Sequence, residues 1–190
     1  NILATAVAAV MFGSTGAALA VTNINDAQEV DGDLAINYNI DNAGTLTITG
    51  GTSTTSYLSS FNGTIDGGLL PNEGNVVIAG NLTMRGNIGS TNTTGNFTLN
   101  DGNTLVLQDS MTTFNTANMT LSSNSILNFG NATSGYNRDT ALTMNANITM
   151  ASNSTINIAN ATLTGNVYGA SSGQGTVNVL GNFTSGGSFG

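Results

Sequence analysis

Apolar residues in this chain return at a long, regular interval, and that interval restricts the fold more than any other feature. They come as i, i+2 pairs such as Val76/Ile78, Leu82/Met84, Phe97/Leu99 and Leu105/Leu107, the alternation of a strand with one face buried. The first members of the pairs form series. One runs Val76, Phe97, Met119, Leu142, Leu163, Phe183, with steps of 21, 22, 23, 21 and 20 residues. A second runs Leu82, Leu105, Leu127, Ile148, with steps of 23, 22 and 21, and extends backward through Phe61 and Ile40. A third runs Ile65, Ile88, Met111 and then, after two periods, Ile156 and Val177. The missing member falls at "NATSGYNRD", where a loop is expected to replace a strand.

Three interleaved series with one period describe a coil. The expected fold is all-β, a parallel β-helix or β-solenoid with about 22 residues and three short strands per turn, each strand stacked on its equivalent in the next turn. Gly-Asn pairs such as Gly74-Asn75, Gly80-Asn81 and Gly86-Asn87 punctuate the strands, and both residue types tolerate the positive φ of sharp corners. The regular coil is expected over residues 61–190, with an acidic region and first, irregular turns over 21–60.

The coil also accounts for a recurring Asn–apolar–Thr triplet: "NLT", "NFT", "NMT", "NIT" and again "NFT". The apolar residue points inward, so Asn and Thr point out. Stacking then sets like residues about 4.8 Å apart, close enough for side-chain ladders. Thr98, Thr120, Thr143, Thr164 and Thr184 are expected in one column, preceded by Asn75, Asn96, Asn118 and Asn182. Each triplet also reads as an N-glycosylation acceptor. In a chain this rich in Asn and Thr, the ladder explains the triplets without a sugar.

Composition narrows the chemistry. The chain has no cysteine, histidine or lysine; its bases are Arg85 and Arg138, and ten acids bring the net charge to -8. Disulfides and thiolate metal sites are ruled out, and nucleic acid and anionic membranes are repelled. No serine has a histidine, cysteine or lysine to activate it, and the carboxylates from Asp66 onward share no position in the repeat. A non-enzymatic protein without cofactor is expected. Asp31 and Asp33, in "DGD", are weak calcium candidates, since hard cations take several oxygen ligands; the rest of a calcium loop is missing, and a solvated acidic surface is the simpler reading. Ice-binding solenoids show a Thr-x-Thr pair in every turn, whereas here such pairs are occasional, as in "TLTIT" at Thr45–Thr49 and at Thr162/Thr164, so ice binding ranks below the other readings.

Residues 1–20 stand apart. "ILATAVAAVMFGSTGAALA" is uncharged, mostly apolar and ends in the small-x-small pattern Ala18-Leu19-Ala20. It reads as an export-type segment, either cleaved or retained for assembly, and its Gly and Ser interruptions make a stable membrane span unexpected.

With these features in place, residues 34–190 resemble the passenger regions of bacterial autotransporters and related surface adhesins. The resemblance rests on Asn/Thr/Gly-rich strands, absent cysteines and the leading export-type segment, with no signature motif. It implies a parallel β-helix displayed outside the cell, acting in adhesion or as a stalk. Family members carry a C-terminal outer-membrane barrel, whereas this sequence stops at "GNFTSGGSFG", as a fragment or an independently exported subunit would. No amphipathic capping helix is legible at either end, although a solenoid end exposes strand edges and core. The leading expectation is therefore a secreted, extracellular or cell-surface structural subunit that assembles head to tail into a filament or layer. Its partner is itself, with Ile2, Val7, Val10, Met11, Phe12, Phe183 and Phe189 as candidate joining residues. The alternative is a monomeric adhesin or stalk segment that binds host or surface glycans or proteins.

Overall fold

A computed structural model describes residues 21–31, 36–41, 44–50, 59–129 and 139–190. Within them the chain winds as a parallel β-solenoid of 18 strands with no helix. Every strand pairing is parallel.

Each turn has three sides. Face I stacks β1 (Val21–Ile24), β3 (Asn37–Ile40), β6 (Ile65–Gly67), the single bridging residue Ile88, the first halves of β11 (Thr113–Leu121) and β13 (Leu142–Met150), then β15 (Ala161–Thr164) and β18 (Phe183–Ser185). Face II stacks β2 (Ala27–Asp31), β4 (Thr45–Thr49), β7 (Glu73–Ile78), β9 (Thr94–Leu99), the second halves of β11 and β13, β16 (Val167–Gly169) and finally Phe189, bridged to Val167. Face III is a separate six-stranded sheet, β5 (Ser59–Phe61), β8 (Leu82–Met84), β10 (Thr104–Leu107), β12 (Ile126–Phe129), β14 (Thr155–Ile158) and β17 (Thr176–Val179).

The alternation holds along each strand. In β13 the residues Leu142, Met144, Ala146, Ile148 and Met150 are buried, while Thr143, Asn145 and Asn147 are exposed. The inward residues make one continuous apolar column inside the coil. Aromatic pairs thicken it: Phe97 meets Phe114 edge-on with centroids 4.9 Å apart, and Tyr38 stacks on Phe61 at 6.1 Å. Both spacings lie in the favourable range for ring contacts.

The first series holds through Val76, Phe97 and Met119, and the second through Leu82, Leu105 and Leu127. Beyond Phe129 the assignments change face. Met119 is followed by Ile148, not Leu142, and Leu127 by Ile156, not Ile148. Leu142 is buried, but on face I, against Ala161. Ile88 is followed by Phe114 rather than Met111, and Ile156 and Val177 belong to face III. No side of the coil loses its strand at "NATSGYNRD". That turn is longer, with 29 residues from Met119 to Ile148 against 22 from Phe97 to Met119. Nearer the start, Ile40 sits on face I opposite Ile24, and Phe61 on face III opposite Met84 rather than Leu82.

Of the expected corner glycines, Gly74 has the positive φ (+76°) foreseen for it. Gly86 is needed for a different reason. A Cβ there would stand 1.7 Å from the carbonyl oxygen of Gly63, the corner of the turn below.

Candidate functional site

The chemistry-bearing residues stay scattered. Among the described residues, no three acids gather in a way that could hold a metal ion. The main chain of Asp31 ends β2, paired with Thr49; Asp33 lies outside the described residues. No described helix is long and apolar enough to cross a membrane.

Asparagine is what the structure does organise. On face II, Asn96 donates its side-chain amide to Asn75 Oδ1 at 2.8 Å, and Asn118 donates to Asn96 at 3.3 Å. A bulge in β11 interrupts the column, so Asn147 donates to the Ala117 carbonyl. It resumes with Asn166 donating to Asn147 at 3.3 Å. A second ladder lies on face III: Asn157 donates to Asn128 at 2.7 Å, and Asn178 to Asn157 at 2.8 Å. Its lower rungs are buried, Asn128 being 5% exposed and Asn157 9%. Corner asparagines also cap the next turn, since Oδ1 of Asn37, Asn81 and Asn87 accepts from the backbone N–H of Thr64, Thr104 and Thr112. The threonines divide into two columns rather than one: Thr98, Thr120 and Thr149 on face II, and Thr113, Thr143, Thr162 and Thr184 on face I.

The last turn is built differently. β17 pairs only with β14, and β18 only with β15, among the described strands, so both present an open edge. Val179, Leu180 and Phe189 are 55%, 49% and 43% exposed, far above their buried counterparts in earlier turns. Phe183, half-buried on the core, meets Phe189 edge-on at 5.9 Å, so these two candidate joining residues do come together. Ile2, Val7, Val10, Met11 and Phe12 lie outside the described residues. On the side toward face III the end stays open as a cleft of about 230 Å³, lined by Met150, Val167, Tyr168, Gly175, Val177 and Phe189 among others. No charged residue occurs between positions 140 and 190.

One exposed apolar feature escapes the periodic reading. Leu69 and Leu70 are 92% and 63% exposed, at a corner where the Leu70 N–H donates to Glu73 Oε2 at 3.0 Å. Two adjacent leucines followed by Pro71, the only proline, break the i, i+2 rule. That break is the signal that both point away from the core.

No family model, curated protein or solved structure matches the chain.

Proposed function

We propose that the protein is a non-enzymatic, secreted structural subunit that assembles head to tail into an extracellular filament or surface layer. The stacking itself carries this reading: each turn is held by ladder and core contacts to its neighbours, from the face II asparagines to the apolar column, so turns of a second copy can continue the same pattern. Contact between unlike ends of identical copies does not close on itself, so it builds a fibre. The scattered carboxylates and the lack of a histidine, cysteine or lysine to activate any serine support a structural role over a catalytic one.

Negative-stain electron microscopy of the 190-residue chain, with sedimentation over a concentration series, tests this. The eight layers stacked among the described residues span roughly 34 Å at about 4.8 Å per layer. The expected result is rods of that unit length joined end to end and lengthening with concentration. Single short rods at every concentration would overturn the reading.

A second reading, a monomeric adhesin or stalk segment, draws on the Leu69–Leu70 tip. Surface apolar residues held together on a fixed corner suit contact with another macromolecule. It is favoured if the rods stay single and the Leu69→Asn/Leu70→Asn variant loses surface attachment.

A further inference from the structure

We infer that the corner at Asn62–Gly63 is a site of spontaneous covalent modification, in which the Asn62 side chain loses ammonia to its own backbone with the help of Arg85 in the next turn. The pair is the only Asn-Gly in the sequence, and it lies in the short link between β5 and β6. The Asn62 side chain is exposed. Neither its amide nor the Gly63 N–H has a hydrogen-bond partner among the described residues. Gly63 also offers its nitrogen without a Cβ to hinder approach. Asn124 and Asn153, each followed by a serine, are held differently. The N–H groups of Ser125 and Ser154 donate to the Ser122 and Ala151 carbonyls at 3.2 Å, and Asn153 donates its side-chain amide to Asn124 Oδ1 at 3.3 Å. Arg85 is the one base among the described residues. Its backbone N–H donates to the Phe61 carbonyl at 2.9 Å, which continues the Phe61–Met84 pairing by one residue and sets Arg85 beside Asn62. Both residues are exposed.

The step needs only the chain and water. The Gly63 nitrogen forms a bond to Asn62 Cγ and gives up its proton, the Cγ–Nδ2 bond breaks, and ammonia leaves. The product is a cyclic imide, which water opens on one of two sides. Opening at Cγ leaves an aspartate side chain on the original main chain. Opening at the main-chain carbonyl leaves an isoaspartate, which adds a carbon to the main chain. Negative charge develops on the Asn62 side-chain oxygen as the nitrogen attacks, and a guanidinium in the adjacent turn stabilises it. The coil receives the two products differently. An aspartate at position 62 faces Arg85 across one layer, about 4.8 Å along the stack, and forms an exposed ion pair. An isoaspartate does not fit. A Cβ on Gly63 would collide with the Ile36 carbonyl oxygen, and one on Gly86 with the carbonyl oxygen of Gly63. Three successive turns therefore close on this corner, with no room for a longer main chain, and the isoaspartate form loosens it.

The experiment incubates the folded full chain at mildly alkaline pH and follows each asparagine by peptide mass mapping, with an isoaspartate-specific methyl-transfer assay as a second readout. Asn62 should lose its amide faster than any other described asparagine, and isoaspartate should appear there. Asn62→Gln, whose longer side chain closes the ring far more slowly, should remove both signals and keep the circular dichroism spectrum. Arg85→Gln should slow the loss about two- to fivefold, the range of an exposed charge contact, and added salt should shrink that difference. The N–H groups of Thr64 and Ile65 bond to Asn37 Oδ1 and the Asn87 carbonyl across the neighbouring turns, so their amide exchange should quicken in proportion to the isoaspartate content. An Asn62 amide that persists in the folded chain while the urea-unfolded chain loses it would overturn the inference, because the corner would then be protective. An equal rate in Arg85→Gln would overturn the role given to Arg85, and unchanged exchange at high isoaspartate content would overturn the loosening.

Discussion

Replacing Asn157 with alanine separates a ladder that stabilises the coil from one that merely decorates it. Asn157 donates to Asn128 and accepts from Asn178. Asn178 is exposed, so water replaces its lost acceptor and the loss is about 0.5 kcal/mol, the low end for a hydrogen bond. Asn128 is 5% exposed. Its carbonyl would be left buried without its donor, which costs about 1–3 kcal/mol beyond the bond itself. The sum is about 3 kcal/mol, equivalent to a fall in Tm of roughly 6–12 °C for a chain of this size. Asn96→Ala deletes the same chemistry on face II, where Asn96 is exposed, and should cost about 0–1 kcal/mol because water reaches both stranded partners. Denaturant midpoints at constant m give the comparison. Amide exchange across β14 should accompany them, since a coil can lose end turns before central ones. Asn157→Ala/Asn128→Ala should cost less than the sum of the single changes, because removing both partners leaves no orphaned carbonyl. Equal losses from Asn157→Ala and Asn96→Ala, or strict additivity in the double variant, would refute the reasoning.

Met119→Asp sets an unpaired carboxylate at a position with no solvent exposure and should prevent folding; soluble protein with an unchanged circular dichroism spectrum would contradict the inward register. Tyr38 gives an alkaline test, since burial raises its pKa above the ordinary 10.0. The charged form is disfavoured in the folded state, so Tyr38 contributes no loss below the unfolded pKa, and stability falls as pH rises beyond it toward the folded value. Tyr38→Phe should flatten that fall in denaturant midpoint measured from pH 9 to pH 11, and an unaltered fall would assign it elsewhere.

The coil was legible because its signal is physical: an i, i+2 apolar pair can face inward only from a strand, and Val76, Phe97 and Met119 stack as the period requires. Past Phe129 the same arithmetic misled. The turn from Met119 to Ile148 has 29 residues and the one before it 22, and the difference is close to one side of a three-sided coil. An insertion of one side brings an apolar pair from the neighbouring face into the expected position. Leu142 thus satisfied the period while belonging to face I. Periodicity reports the spacing of inward residues but carries no label for the face. The ladders were legible for a related reason, since outward neighbours of stacked residues must themselves stack. The burial of Asn128 and Asn157 was not, because nothing in the alternation distinguishes one outward column from another. Phe183 and Phe189 could be named from their nearness to the end of the repeat. The cleft beside them depends on where Gly175 and Val177 sit relative to Met150, which no spacing records.

Every asparagine–asparagine bond in the two ladders points the same way. Asn96, Asn118, Asn166, Asn157 and Asn178 each donate to a residue of the turn before, and the N–H groups of Thr64, Thr104 and Thr112 do likewise. While the backbone exchanges bonds in both directions, a finished turn exposes a row of asparagine side-chain acceptors, and the next one arrives carrying the donors that fill them. Because ribosomes make the chain from its N-terminus, each template exists before the segment that will read it, and a nearest-neighbour coil needs no distant part of the chain to accept one more turn. Growth of the structure can keep pace with growth of the polypeptide, as a zip closes behind its slider, and no long-range search is left for the end.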